Sequence, residues 1–338
     1  MEKRKYYRGL DILRGISALL VMLYHYTARY NEVAFTPPHL QTNWAINLPW
    51  ASMAVVTFFL LSGFLCNAYG EEKPFKYVGK RLLRLYPAFL TALICTSLVT
   101  FFFCRPAFAG FKNIILNLTM LPGLLGARVV DGVYWTLQYE IIFFVIIGAL
   151  FFLKKKMLKK GIFIAWLVLG IAVAFLRKFD NIFISAAKVL LILNYIQTFI
   201  LGISLKEIAD KKQDVWTYIT IALCFVNHYL WQGWLSALWL FISALFILYV
   251  TAIKPDGILN KDNKFTKCFS WLAGISYALY LVHQVIGYVI IQRMVSIGWT
   301  NELFIFIPIA VSILLAWLIH QFIEKPIFAK LKKKKKEE

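Results

Sequence analysis

The chain has 338 residues, 60% of them hydrophobic and 16% charged, with a mean hydropathy of +0.68. Soluble domains carry roughly 45–50% apolar and about 25% charged residues, so this composition excludes an ordinary soluble globular protein. The net charge of +20 does not indicate nucleic acid either, because most Lys and Arg stand in short clusters between long apolar runs, and no glycine-rich phosphate loop is present.

Apolar runs fall near residues 10–28, 50–69, 86–104, 134–153, 161–176, 185–205, 215–230, 234–253, 268–292 and 303–323. Each is close to the roughly 17–25 residues that one membrane-spanning helix needs. The fold class expected is therefore all-α, a polytopic bundle of about ten transmembrane helices. The first run follows Lys3, Arg4, Lys5 and Arg8 and has no small-residue cleavage site after it, so it reads as a retained helix rather than a signal peptide. The pair 215–230 and 234–253 is joined by a tight turn at Trp231-Gln232-Gly233. With the start, 70–85, 154–160, 206–214, 254–267 and 324–338 placed inside, those segments hold 28 of the 37 Lys and Arg. That bias puts both termini in the cytoplasm and the chain in the inner (cytoplasmic) membrane as a multi-pass protein.

The outer segment from Arg105 to Val133 is the longest, and its stretch Asn113–Leu121 reads as a short re-entrant or interfacial helix. Residues 1–328 read as one transmembrane domain and 329–338 as a basic tail near anionic inner-leaflet lipid. Cys66, Cys95, Cys104, Cys224 and Cys268 lack C-x-x-C spacing, so neither a zinc site nor a disulfide framework is indicated. No internal repeat of the kind many transporters show is evident.

Ionisable groups at membrane depth need partners or a function. Arg14 and His25 are eleven residues apart, which is three helical turns plus about 20°, so they share a face and stand roughly 16 Å apart along the axis. Arg14 reads either as an inner-surface charge paired with Asp11 or as part of an anion pocket with Arg81 and Arg84, which are themselves three apart on one face. His25 reads as a packing histidine or as a general base. Glu140, about one and a half turns in from the outer surface, is a candidate partner for His25. Ser276, Tyr280 and His283 share a face of the ninth run. Ser62 and Gly63 allow close helix approach. His39, His228 and His320 carry no assigned role.

These segments resemble a known family, the membrane acyltransferase 3 group, whose best-known members are polysaccharide O-acetyltransferases. LDILRGISALLVMLYH is similar to its Arg/Lys, ten residues, His motif at Arg14 and His25. FFLLSGF, RLLRLYP, WTLQYE, SYALYLVH and Glu324-Lys325-Pro326 are similar to its later motifs, in order. Two positions depart: Ile12 stands where the family usually has a small residue, and Val285 where a proline often follows the late histidine.

The resemblance implies an O-acyltransferase that moves an acyl group, acetyl by preference, from cytosolic acetyl-CoA to a hydroxyl of a cell-surface glycan or its lipid-linked precursor. Acyl-CoA is then a donor substrate, with no bound cofactor and no metal. His25 would act as base or acyl carrier, with Glu140 orienting it. Arg14, Arg81 and Arg84 would bind acyl-CoA, and Asp11, Ser62, Trp135, Ser276, Tyr277, Tyr280, His283 and Glu324 would line or support the cavity. The competing expectation is a proton-coupled transporter or glycan flippase built on the same buried Arg, His and Glu residues.

Overall fold

The computed structural model describes residues 6–30, 47–70, 73–176 and 182–337. His39, Arg177 and Lys178 lie outside the described residues. Among those described, the chain is helical and contains no strand. In chain order the helices are α1 (Arg8–Tyr24), α2 (Val55–Phe64), α3 (Pro74–Phe103), α4 (Phe111–Asn117), α5 (Trp135–Leu150), α6 (Lys156–Leu176), α7 (Ile182–Leu190), α8 (Ile196–Ala209), α9 (Val215–Leu248), α10 (Lys264–Ser296), α11 (Phe306–Ile319) and α12 (Lys325–Glu337). π-helical turns continue α1 at His25–Arg29, α9 at Tyr249–Ile253 and α11 at His320–Glu324.

Among the described residues, six segments are long and apolar enough to cross a membrane: Pro74–Phe103, Gly132–Leu150, Lys156–Leu176, Val215–Ile253, Lys264–Ser296 and Glu302–Leu331. The multi-pass character expected from composition is thus present. The most apolar stretch of α10 is 83% buried, whereas that of the final segment is 28% buried. The first is an interior helix, and the second leaves most of its side chains for lipid.

The longest segment is broken at Gly233, whose φ of 80° and ψ of 176° leave the helical region. Glycine reaches that conformation without a Cβ clash, and the break falls at the turn expected from sequence. The run 185–205 is different. It reads as one helix, but the structure divides it into α7 and α8 around a turn at residues 191–195, with Ile192 at φ 46°. No glycine or proline marks that break. Three side chains bond carbonyls at the turn: Trp166 Nε1–H donates to Leu191 O (2.9 Å), and Gln197 Nε2–H (2.8 Å) and Gln232 Nε2–H (3.1 Å) donate to Asn194 O. Such side-chain donors are what make irregular backbone tolerable away from water.

The chain forms two compact units. The first comprises Met1–Ser17, Met53–Gly79 and Tyr139–Ser270. Its centre is the crossing of α2 and α8. Gly63 and Gly202 bring the two backbones together: a Cβ on Gly63 would stand 2.8 Å from the Phe199 carbonyl carbon, and one on Gly202 would stand 2.5 Å from Phe64 N. Close approach at small residues is the main route to helix packing where lipid removes the hydrophobic driving force. Phe199 then stacks on Phe143 with ring centroids 4.2 Å apart.

At one end of this unit an ionic cluster, buried at Lys160 and Glu207 and open to the outside at Lys156 and Asp214, joins α6, α8 and the start of α9. Lys160 Nζ lies 2.6 Å from Asp214 Oδ1 and 3.1 Å from Glu207 Oε2, and Lys156 lies 2.6 Å from Glu207 Oε1. Asp214 also caps α9 by accepting from Thr217 N. Asp214 is held down at a pKa of about 2, first by the Lys160 hydrogen bond.

The second unit comprises Ala18–Ser52, Lys80–Gln138 and Trp271–Glu338. Its long connection 105–133 is ordered by asparagine side chains. Asn117 Nδ2 donates to the Asn113 and Arg128 carbonyls, and Asn117 Oδ1 accepts from Val130 N. Asn113 Oδ1 accepts from Arg128 N. The short helix expected at Asn113–Leu121 is α4, Phe111–Asn117.

Candidate active site

His25 opens the π turn that extends α1. Such turns change the direction of successive side chains and are frequent at functional sites. The His25 ring is part-buried and faces the buried His283 of α10, with centroids 4.9 Å apart at 61°. His25 Nδ1 stands 2.8 Å from the Val21 carbonyl and 3.0 Å from His283 Nε2. A carbonyl oxygen can only accept, so His25 Nδ1 carries the hydrogen and Nε2 carries the lone pair.

The backbone at His283 is braced from two sides. The buried Tyr26 hydroxyl donates to the His283 carbonyl (2.7 Å) and bonds Ser312 Oγ (2.7 Å). Gly287, one turn further along α10, leaves the space for this ring, since a Cβ there would overlap Tyr26. The fully buried Asp131 accepts from Val133 N through Oδ1 (3.2 Å) and from Val285 N through Oδ2 (3.1 Å). Val285 is the position at which the resemblance led us to expect a proline. A proline has no N–H, so this chain uses there a donor that proline would lack.

Tyr280 lies beside His283, with centroids 5.8 Å apart, and its hydroxyl bonds Thr136 Oγ1 (3.0 Å). Tyr277 donates to the Leu85 carbonyl (3.0 Å), next to Arg84 on α3. Arg81 is half-buried and Arg84 exposed. Trp135 is exposed at the start of α5.

Other residues selected from sequence turn to local partners. Ser276 Oγ bonds the Ala273 carbonyl of its own helix (2.8 Å). Glu324 is buried and pairs with His320 Nδ1 one turn away (2.6 Å), which gives His320 a partner the sequence did not suggest. In the first unit, Ser62 donates to Glu140 Oε1 (2.6 Å), linking two motif segments. Arg14 is half-buried on α1. Asp11 accepts from Ser270 Oγ (2.7 Å) and from Tyr6.

Sequence reasoning missed Tyr26, Asp131 and the Lys160 cluster. Tyr26 sits beside His25 and is easily read as one more aromatic. Asp131-Gly132, just before an apolar helix, is a helix-start signal. That signal marks the cap but not the burial.

Comparison with curated proteins and with solved structures finds no match. The acyltransferase 3 family model, an acyltransferase domain, matches residues 7–321. This span includes His25, Glu140, His283 and all three arginines, and covers nearly the whole chain. The chain belongs to the membrane acyltransferase 3 family.

Proposed function

We propose that this protein transfers an acyl group, acetyl in the first instance, from cytosolic acyl-CoA to a hydroxyl of a cell-surface glycan or its lipid-linked precursor. The observation that carries the proposal is the His25 tautomer. Its Nδ1–H is engaged by the Val21 carbonyl, which leaves the Nε2 lone pair as the reactive position of a histidine inside the family-matched segment.

In this reading the thioester carbonyl is attacked by the acceptor oxygen while His25 Nε2 takes the hydroxyl proton. The tetrahedral adduct then collapses, the CoA thiolate leaves, and the proton returns to the sulfur. Acceptor alcohol and acyl-CoA thus become ester and free thiol. An acyl group carried briefly on His25 is the variant of the same chemistry. Arg14, Arg81 and Arg84 would engage the CoA phosphates, where guanidinium groups suit oxyanions. Glu140, which the family resemblance gives as the orienting carboxylate, is bonded to Ser62 within its own unit.

The same proposal includes ten crossings with both ends cytoplasmic. The α1 segment, the 49–64 segment and the α7–α8 pair join the six long segments, and Gly233 divides Val215–Ile253 into two. An anionic donor that cannot cross lipid then meets His25 from the inner side.

Purified protein in liposomes, given radiolabelled acetyl-CoA with and without acceptor glycan, tests the reading. Label should appear in the glycan, and His25→Ala should abolish it while the protein still inserts. Glycan movement without incorporation, or full activity in His25→Ala, would overturn it.

A further inference from the structure

His283 faces His25 through one nitrogen and backbone carbonyls through the other. Its Nδ1 lies 3.1 Å from the Leu279 carbonyl and 3.0 Å from the Tyr280 carbonyl. Its Nε2 lies 3.0 Å from His25 Nδ1. Only one arrangement of hydrogens satisfies all these contacts together with the Val21 carbonyl: both Nδ1 atoms protonated, both Nε2 atoms bare. The reverse would aim the His283 Nδ1 lone pair at two carbonyl oxygens and the His25 Nδ1 lone pair at a third. His283 therefore presents an acceptor to the His25 N–H from a ring that is only 1% exposed.

We propose that His25 and His283 act as one two-imidazole unit, in which His283 Nε2 takes up the Nδ1 proton of His25 as His25 Nε2 receives the proton of the acceptor hydroxyl. This rests on the reading of His25 as the base. One proton enters at His25 Nε2 and one passes from His25 Nδ1 to His283 Nε2. The positive charge then sits on His283, whose Nδ1–H already donates to two carbonyls. Both protons move back when the thiolate leaves, so the pair ends as it began.

The need for such a partner is electrostatic. On His25 the charge would face one carbonyl, that of Val21, whereas on His283 it faces the carbonyls of Leu279 and Tyr280, and such hydrogen bonds stabilise charge most where the dielectric is low. Tyr26 holds the backbone at His283 and Asp131 holds it at Val285, which keeps the His283 ring facing His25. The orienting task that sequence assigned to a carboxylate is thereby performed, within this unit, by an imidazole. His283 touches no substrate and is a positioning residue.

The experiment compares wild type, His283→Leu, His283→Gln and His25→Ala in liposomes, with ring-15N-histidine NMR of the wild type. A glutamine carbonyl can accept the His25 N–H but cannot take its proton; leucine can do neither. We expect kcat to fall by about 100-fold or more in His283→Leu with KM little changed. His283→Gln should fall in between, and a through-hydrogen-bond correlation should join the His25 Nδ1 proton to His283 Nε2. His283→Leu within about twofold of wild type, His283→Gln no better than His283→Leu, or no such correlation would overturn the proposal. Full activity in His25→Ala would instead remove the underlying base assignment, while the correlation still reports on the pair.

Discussion

Substituting alanine for Gly202 places a methyl group in the α2–α8 crossing, where the opposing surface is backbone. The new Cβ would stand 2.5 Å from Phe64 N and closer still to the Leu60 carbonyl oxygen. Ordinary contact begins near 3.4 Å, so α2 and α8 must separate by roughly 1 Å along a rigid main-chain contact. Over-packing of this kind costs about 3 kcal/mol, at the upper end of its usual range, because no flexible side chain can move aside. The displacement is also functional, since Ser62, adjacent to Gly63, donates to Glu140. Thermal unfolding in detergent should show a clear fall in Tm, with acyl transfer reduced in the folded fraction. Gly79→Ala and Gly161→Ala are the controls. Nothing lies within 4 Å of a Cβ at either position, and alanine in a helix gains about 0.5–1 kcal/mol over glycine. A Gly202→Ala protein that melts with wild type would refute the close-approach argument.

Two further outcomes are expected. Asp214→Asn keeps a good N-cap but loses the ion pair with Lys160. Because the folded Asp214 is depressed to about 2 from an ordinary value of 3.8, its contribution is present above about pH 4 and lost as pH falls towards 2. The Tm difference between wild type and Asp214→Asn should therefore shrink across that window, and a constant difference would exclude the ion pair as its source. Val285→Pro should lower Tm, because the buried Asp131 loses one of its two backbone donors. Adding Asp131→Asn should cost less than the two single changes summed, since both changes act on the same Asp131–Val285 hydrogen bond; strict additivity in a double-mutant cycle would show that the two residues are not coupled.

What was legible in the sequence was what repeats or what is chemically expensive. Long apolar runs gave the helical fold, and Gly233 gave its turn because glycine alone enters that conformation freely. Gly63 announced a close crossing, although its partner Gly202, lying in an ordinary apolar run, did not. The division of 185–205 was invisible because two of the three donors at the turn, Trp166 and Gln232, lie on other helices. Lys160 reads as one more inner-surface charge, and only the fold shows that it is buried between Glu207 and Asp214. Helical period placed Tyr280 and His283 together, but it could not show that Ser276 spends its hydroxyl on its own backbone.

The departure at position 285 shows how the site tolerates variation. Proline fixes φ but removes an N–H and kinks a helix interior, and a kink at a set place is one way to define the chain just beyond a working histidine. Val285 gives up this constraint but keeps its N–H, and Asp131 accepts from it. The same carboxylate also accepts from Val133, so one buried side chain ties the end of the long outer connection to α10 two residues past His283. Tyr26 binds the His283 carbonyl itself and Ser312. The backbone that carries the imidazole is thus held by side chains from α1's extension and the 105–133 connection, and the ring itself by carbonyls of its own helix. A histidine pair that must exchange a proton over 3.0 Å depends on such bracing, because proton transfer is lost with small changes of distance and angle.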